Sequence, residues 1–175
     1  MMMNSNQIIL ENTRLQIRKF SASDLSALYS ICSDAELMKY VGTGEPLTIN
    51  QVEKWLEVTR INYATKGFGN YALIFKENQE LIGYCGLVYS KEIDDIELIY
   101  ALRKSYWGKG LATEASKMMI DFAFDSIKLE QVFASIDPAN IGSEKILIKT
   151  GFIFAFEQTD EWGLPTKYFS IPNPF

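Results

Sequence analysis

The stretch YWGKGLATEA, residues 106–115, decides the fold of this chain. An apolar run with the composition of a strand precedes it at 96–102, and a long segment with helical spacing of apolar residues follows it. Gly108 and Gly110 therefore lie where a strand passes into a helix, whose start offers unpaired N–H groups and partial positive charge. Glycine also lets the backbone approach a ligand closely. The sequence thus predicts a phosphate or pyrophosphate site.

The glycine loop also allows a purely structural interpretation. A plain strand-to-helix turn uses glycine as well, so this alternative stays open. Lys109 adds a positive charge inside the loop, which favours an anionic ligand. The dinucleotide fingerprint is excluded because Thr113 stands where its third glycine is required, and the P-loop string occurs nowhere in the chain.

Composition limits the classes of function. A chain of 175 residues predicts one domain, 1–175, and 17 basic against 22 acidic side chains give a net charge of −5. This balance argues against nucleic acid as a partner, and it suits either a cationic amine substrate or simple solubility. Because the chain has no histidine, a Ser-His-Asp triad, a Cys-His pair and a histidine-bound metal are excluded.

Cysteine usage and the N-terminus bear on metal binding and localisation. Cys32 and Cys85 are isolated from each other, so we expect neither a disulfide framework nor a metal site. Residues 1–7 lack the pattern of a signal peptide, and no apolar run reaches the length of a membrane span. We therefore expect a cytoplasmic protein that is not membrane-bound.

Apolar periodicity and cap signals predict the order β-α-α-β-β-β-α-β-α-β-β. The strands are expected at 14–20, 70–76, 80–90, 94–102, 131–136, 152–157 and 166–171. The helices are expected from Ser21 or Ser23 to Cys32, from Thr48 to about Gly67, from Leu111 to about Lys128, and from Gly142 to Thr150. Residues 38–47 and 160–166 are expected to be loops. Three successive strands followed by alternation favour a mixed sheet with helices on its faces.

The sequence WGKGLA at 107–112 resembles the acyl-CoA loop of the GNAT superfamily of N-acetyltransferases, written Gln/Arg-x-x-Gly-x-Gly/Ala. Its leading tryptophan and the following ATEA resemble the branch that acetylates alanine or serine N-termini of ribosomal proteins. Further similarity to that branch covers TRLQIR at 13–18, NIGS at 140–143 and KTGF at 149–152. The similarity therefore extends over nearly the whole chain.

Two positions depart from the family pattern. Trp107 replaces the first Gln or Arg of the loop, and Leu147 stands where many members carry a tyrosine that acts as general acid. The resemblance nevertheless implies the GNAT fold, an α/β (α+β) architecture with a mixed, mostly antiparallel sheet of about six to seven strands and helices on both faces. It also implies acetyl-CoA as co-substrate, an amine acceptor, no metal, and a monomer or homodimer.

The resemblance assigns the cofactor to one set of residues. The loop binds pyrophosphate, the preceding strand pairs with the pantetheine arm, and a backbone N–H near Leu102 serves as oxyanion donor. Asn140 matches an asparagine that contacts the CoA arm, although a helix N-cap explains it as well. The assigned residues are Tyr100, Ala101, Leu102, Trp107, Gly108, Lys109, Gly110, Leu111, Ala112, Thr113 and Asn140.

Two residues are candidates for catalysis. Glu97 is a carboxylate in an otherwise apolar strand just before the loop, which suits a general base, while a solvent-facing strand residue is the alternative. Ser143 occupies the position from which the resembling branch protonates the leaving thiolate. A serine at a helix start that donates nothing is its alternative.

These observations predict transfer of acetyl from acetyl-CoA to a primary amine. The favoured acceptor is a protein N-terminal α-amine, and a small-molecule amine is the close alternative. Two other classes stay open at the level of sequence: a non-catalytic acyl-CoA-binding sensor, and a loop that binds some other phosphate ligand. We expect the acceptor pocket to use the loops at 38–47 and 160–166.

Overall fold

The computed structural model describes residues 7–175. Its strands are β1 Ile8–Glu11, β2 Leu15–Arg18, β3 Asn70–Phe75, β4 Glu80–Ser90, β5 Asp95–Leu102, β6 Gln131–Ile136, β7 Ile153–Thr159 and β8 Pro165–Pro172. Its helices are α1 Leu25–Cys32, α2 Ala35–Met38, α3 Ile49–Lys66, α4 Leu111–Asp125 and α5 Ile141–Thr150. Short 3-10 turns precede α1 and α4.

The strands form one sheet in the order β1-β2-β3-β4-β5-β6-β8-β7. Each pairing between these described strands is antiparallel except that of β5 with β6. The predicted mixed, mostly antiparallel sheet is therefore confirmed, with eight strands in place of six to seven. The extra strand is β1, whose four residues pair with β2 and are too few for periodicity to reveal.

The helices lie on both faces of the sheet, as predicted. On one face, α4 packs its buried residues Leu111, Ala115 and Met119 against Leu98 and Leu102 of β5. On the other face, α1 and α3 pack against a cluster that contains Ala101 of the same strand. Because successive strand residues point to opposite faces, β5 is covered on both sides and its position is fixed between two cores.

Local cap signals set several helix boundaries. Thr48 forms a capping box with Gln51 at the start of α3, and Gly67 ends that helix in the left-handed conformation. Gly151 ends α5 in the same way. The predicted loop at 38–47 overlaps the short helix α2, which Asp34 caps by accepting hydrogen bonds from two backbone N–H groups. No helix within residues 7–175 has the length and apolar character needed to cross a membrane.

Glycines inside a strand, such as Gly83 and Gly86 of β4, predict a bulge or a close ligand. A Cβ at Gly83 would lie 2.0 Å from the carbonyl oxygen of Ala101, and one at Gly86 would lie 2.4 Å from Cα of Asn70. The register between β3 and β4 also shifts beside Gly83. These glycines therefore admit neighbouring backbone and a bulge: Gly83 lets β5, and Gly86 lets β3, lie closely against β4.

Candidate active site

Strands β5 and β6 separate beyond Glu97, and this gap defines the site. Their parallel pairing comprises a single register pair, Glu97 with Phe133. The N–H of Arg103 donates to Ile82 of β4, and alternate residues of a strand direct their N–H groups to opposite sides. The N–H groups of Leu102 and Tyr100 therefore face the gap, where a ligand can accept hydrogen bonds from them.

A cavity of about 680 Å³ opens at this gap. It is lined by β5, the glycine loop, the N-terminus of α4, helix α5 and part of helix α2 with the loop after it. All the sequence-predicted site residues line it except Glu97 and Lys109. Those lining residues are Tyr100, Ala101, Leu102, Trp107, Gly108, Gly110, Leu111, Ala112, Thr113, Asn140 and Ser143.

The start of α4 has the backbone features of an anion site. Gly110 is its N-cap with φ of +77°, and Gly108 has φ of +75°, a backbone conformation that glycine adopts without strain. Within the described part of the chain no side chain caps this helix end, so its first N–H groups remain free for a ligand. Because Leu111, Ala112 and Thr113 line the cavity, these donors and the positive end of the helix dipole face it, an arrangement that suits a phosphate.

The turn between β1 and β2 holds the glycine loop in place. Arg14 donates to the carbonyl oxygen of Lys109 at 2.9 Å and pairs with Glu114 in the first turn of α4. Asn12 donates to the same carboxylate at 3.0 Å. Glu114 alone would repel an anion at the helix start, so the guanidinium offsets that charge. Sequence reasoning missed this role of Arg14, since its partners lie far along the chain.

The lysines that line the cavity are not the one that the sequence predicted. The ammonium of Lys109 lies over the ring of Tyr106, 5.2 Å from its centroid, and its side chain does not line the cavity. Lys145 and Lys149 of α5 do line it. Their i,i+4 spacing places both on one helix face, which was the available sequence signal for them.

Trp107 packs against the end of β5. Its indole Nε1 donates to the carbonyl oxygen of Leu102 at 2.8 Å, and 48% of the residue remains exposed. The carbonyl oxygen of Leu102 therefore already accepts a hydrogen bond from the indole, while the N–H of Leu102 stays available to a ligand. This gives the tryptophan that departs from the family pattern a structural function at the cavity.

The start of α5 brings three polar groups together. Asn140 caps the helix by accepting from the N–H of Ser143 at 3.1 Å, and it also lines the cavity. Asn140 therefore both caps α5 and lines the cavity. The hydroxyl of Ser143 lies 2.6 Å from the phenol oxygen of Tyr100, a contact that sequence reasoning did not foresee. Leu147, one turn further along, is fully buried and apolar.

Glu97 is partly exposed as a residue, but its Oε1 is buried and has no hydrogen-bond partner among the described residues. Burial raises the pKa of this carboxyl. The Ser135 and Ser90 hydroxyls oppose that rise and the charge of Glu92 adds to it. A strand rises about 3.3 Å per residue, so Glu97 lies about 10 Å before Tyr100 along β5. A base at this distance from the cavity residues needs water to carry the proton.

The phenol of Tyr168 on β8 is a second polar group near Glu97. The phenol of Tyr168 donates to Glu92 at 2.7 Å, and burial together with this carboxylate raises the pKa of Tyr168. The N–H of Glu161 also donates to Glu92, at 2.7 Å, and this ties the loop after β7 to the turn before β5. Loop residues 160–166 do not line the cavity, whereas Tyr40 and Val41 of the other predicted acceptor loop do.

Comparison with known proteins now identifies the family. Residues 14–153 match the model described as "Acetyltransferase (GNAT) domain". The chain belongs to the GNAT acetyltransferase family. It is 32% identical over 145 residues to the uncharacterized N-acetyltransferase p20 of Bacillus licheniformis, and the match covers 82% of this chain and 81% of that protein.

Two further comparisons concern the acceptor and the fold. The chain is 27% identical over 158 residues to the FsC-acetyl coenzyme A-N(2)-transacetylase of Aspergillus fumigatus, which covers 83% of this chain and 65% of that protein. The ribosomal-protein-S5-alanine acetyltransferase from Vibrio fischeri has the same fold. It superposes with a TM-score of 0.79 at 19% identity and covers 94% of this chain and 96% of that chain.

The chain is therefore an acetyl-CoA-dependent N-acetyltransferase, which confirms the predicted enzyme class over a non-catalytic sensor. The cavity fits such a co-substrate. It offers uncapped helix N–H groups for pyrophosphate, two lysines on α5, and strand N–H groups at the gap for an amide-bearing arm. Among residues 7–175 there is no group of three or more side chains suited to hold a metal ion.

Proposed function

We propose that the acceptor is the N-terminal α-amine of a protein. One observation carries this proposal: in a chain without histidine, the candidate base is the carboxylate of Glu97 on β5. Among the described residues that line the cavity the one carboxylate is Glu36, and it is already paired with Lys104 at 2.6 Å. A carboxylate is ordinarily a weaker base than either kind of amine, and burial raises the pKa of Glu97 toward theirs. It suits an acceptor that loses its proton at little cost near pH 7.

The protonation energy of the amine separates the possible acceptors. A lysine side chain with a pKa of about 10.4 is only about 0.04% neutral at pH 7, a cost of roughly 4.6 kcal/mol. An α-amine with a pKa of about 7.8 costs only about 1 kcal/mol at the same pH. The α-amine therefore asks little of the protein, and Glu97 with a water relay is sufficient to remove its proton.

The reaction assigns one task to each residue. The amine lone pair forms the C–N bond to the thioester carbon, and its proton passes through water to Glu97. The N–H of Leu102 donates to the oxygen as it gains negative charge. The C–S bond then breaks with its electron pair on sulfur, where Ser143 donates a hydrogen bond. The gap between β5 and β6 supplies the orientation of both reactants.

A small-molecule amine is the second candidate acceptor. The observation that favours it is the 27% identity to the Aspergillus transacetylase, since the printed name of that enzyme specifies an N(2) amine of FsC. The likeness to the Vibrio fischeri enzyme concerns the fold alone, but that fold does accommodate a protein acceptor.

A matched pair of peptides tests the proposal. One peptide has a free alanine or serine N-terminus and no lysine, and the other has a blocked N-terminus and one lysine. A panel of small amines is tested alongside. We expect mass spectrometry to show acetyl on the first peptide, with substantial activity at pH 7 that rises only modestly to pH 9.

Two results would overturn the N-terminal assignment. One is acetylation of the lysine peptide in preference to the free N-terminus. The other is a rate on the best acceptor that rises about tenfold per pH unit up to pH 10, since that is the titration of an amine with an unperturbed lysine pKa. Exclusive acetylation of small amines would select the second candidate.

A further inference from the structure

The side chain of Tyr100 has a place in the site that its strand position does not reveal. Its phenol reaches from β5 to α5, where the oxygen lies 2.6 Å from Oγ of Ser143 and 3.4 Å from the carbonyl oxygen of the same residue. Both residues line the cavity. A partly buried pair of hydroxyls thus bridges the two elements on either side of the gap.

Within β5 and α5, this pair supplies the hydroxyl donors that reach the cavity. Leu147, the position at which many family members carry an acidic tyrosine, is fully buried and has no proton to donate. Among the residues of β5 and α5 that line the cavity, only Tyr100 and Ser143 bear a hydroxyl. Asn140 fixes the start of α5 by accepting from the Ser143 N–H, so the serine is held at this place.

The direction of the hydrogen bond decides what the serine can do. A serine hydroxyl has one proton, and if that proton is given to the tyrosine, none is left for a leaving group. Burial raises the pKa of Tyr100 to about 12, so the phenol keeps its proton at neutral pH and can remain a donor. Full transfer of that proton to a thiolate with a pKa of about 8.5 is disfavoured roughly three-thousandfold.

We propose that Tyr100 is a positioning residue that donates to Oγ of Ser143 and thereby turns the Ser143 hydroxyl toward the thiolate of the departing CoA. The thiolate keeps the electron pair of the broken C–S bond and is stabilised by the hydrogen bond, with no proton lost from the tyrosine. A donor that is itself hydrogen-bonded is also the stronger donor. The inference rests on the role proposed for Ser143 and is independent of the acceptor.

The pKa of CoA bound to the full chain tests this inference without any acceptor. CoA carrying ¹³C at the carbon bonded to sulfur is titrated by NMR on wild type, Tyr100→Phe, Ser143→Ala and the double variant. We expect Ser143→Ala to raise the bound thiol pKa by about one unit and Tyr100→Phe by about half a unit, or threefold in the ionisation constant. Tyr100→Phe should add nothing in the Ser143→Ala background.

Two variants complete the test. Tyr89→Phe is the matched control, because it removes an exposed phenol whose partner is Asp94, outside the cavity. It should leave the thiol pKa unchanged. Fluorotyrosine at position 100 keeps the side-chain shape but makes the phenol a stronger donor, and it should lower the thiol pKa even if Tyr100→Phe folds poorly.

The outcomes separate the two roles. An unchanged thiol pKa in Ser143→Ala overturns the role of the serine, and with it this inference. A shift in Ser143→Ala that Tyr100→Phe does not share, or additive shifts in the double variant, overturns the role of the tyrosine alone. None of these results depends on which amine is acetylated. Failure of the N-terminal acceptor proposal is therefore distinguishable from failure of the inference on Tyr100.

Discussion

Replacement of Glu97 by glutamine should make the protein more stable and less active. The substitution keeps the shape of the side chain and removes its charge and its ability to accept a proton. A general base contributes about 10²- to 10⁴-fold in rate, so we expect kcat at neutral pH to fall at least tenfold. Affinity for CoA should stay near that of wild type, because Glu97 does not line the cavity.

The gain in stability follows from the buried, unpartnered Oε1. An unsatisfied buried polar group costs about 1–3 kcal/mol and a charged one costs more, so a neutral amide is less costly at this place than the carboxylate, by an amount up to this range. For a chain of this size it corresponds to a rise in Tm of about 2–12 °C at pH 8. Serine hydroxyls beside Glu97 are available to accept from the new amide.

The dependence of this gain on pH has a definite sign. At low pH Glu97 is protonated in the folded and unfolded states, so wild type and Glu97→Gln differ little. As the pH rises through the unfolded pKa, near 4.3, the unfolded carboxyl ionises first, because burial raises the pKa of the folded one. Wild type therefore loses stability relative to the variant until the folded pKa is passed. Calorimetric unfolding between pH 4 and pH 8 measures the difference.

The matched control is Glu157→Gln on β7, because this glutamate is an exposed strand residue. We expect no change of Tm or kcat in that variant. If Glu97→Gln keeps full turnover and the Tm of wild type at pH 8, Glu97 is an ordinary strand residue and the base is water. Lower turnover without added stability would contradict only the stability argument from the buried oxygen and would leave the role of Glu97 as base intact.

Three further predictions concern the glycine loop and the carboxylate pair. Gly110→Asp should weaken CoA binding, measured by calorimetry, at least tenfold. Gly67→Asp should leave CoA binding unchanged, because Gly67 has nearly the same positive φ but lies at a helix end remote from the cavity. Equal CoA affinities in the two variants would contradict the assignment of the loop. Arg14→Ala should also weaken CoA binding, severalfold, because it frees the negative charge of the first α4 turn, and high salt should narrow the difference from wild type. Glu92→Gln removes a charge that raises the pKa of Glu97, so the acid limb of the kcat/KM profile should move to lower pH; a shift to higher pH would refute the coupling.

The sequence by itself determined most of the elements and their caps. The strand, glycine loop and helix around YWGKGLATEA, the capping box at Thr48 and the left-handed end at Gly67 are local features. Each depends on residues within one or two turns, and so periodicity and turn chemistry reveal them. The short strand β1 was not predicted because four residues carry too little periodic signal. It is identified only by its pairing with β2.

Only the tertiary structure decided how these elements make a site. The separation of β5 from β6 sets the gap, Arg14 meets Glu114 across 100 residues, and Tyr100 meets Ser143 across 43 residues. Periodicity states which face of an element is apolar, but not which distant residue will oppose it. Those contacts depend on the register of the strands and on how two cores pack on either side of β5, and both are properties of the folded chain.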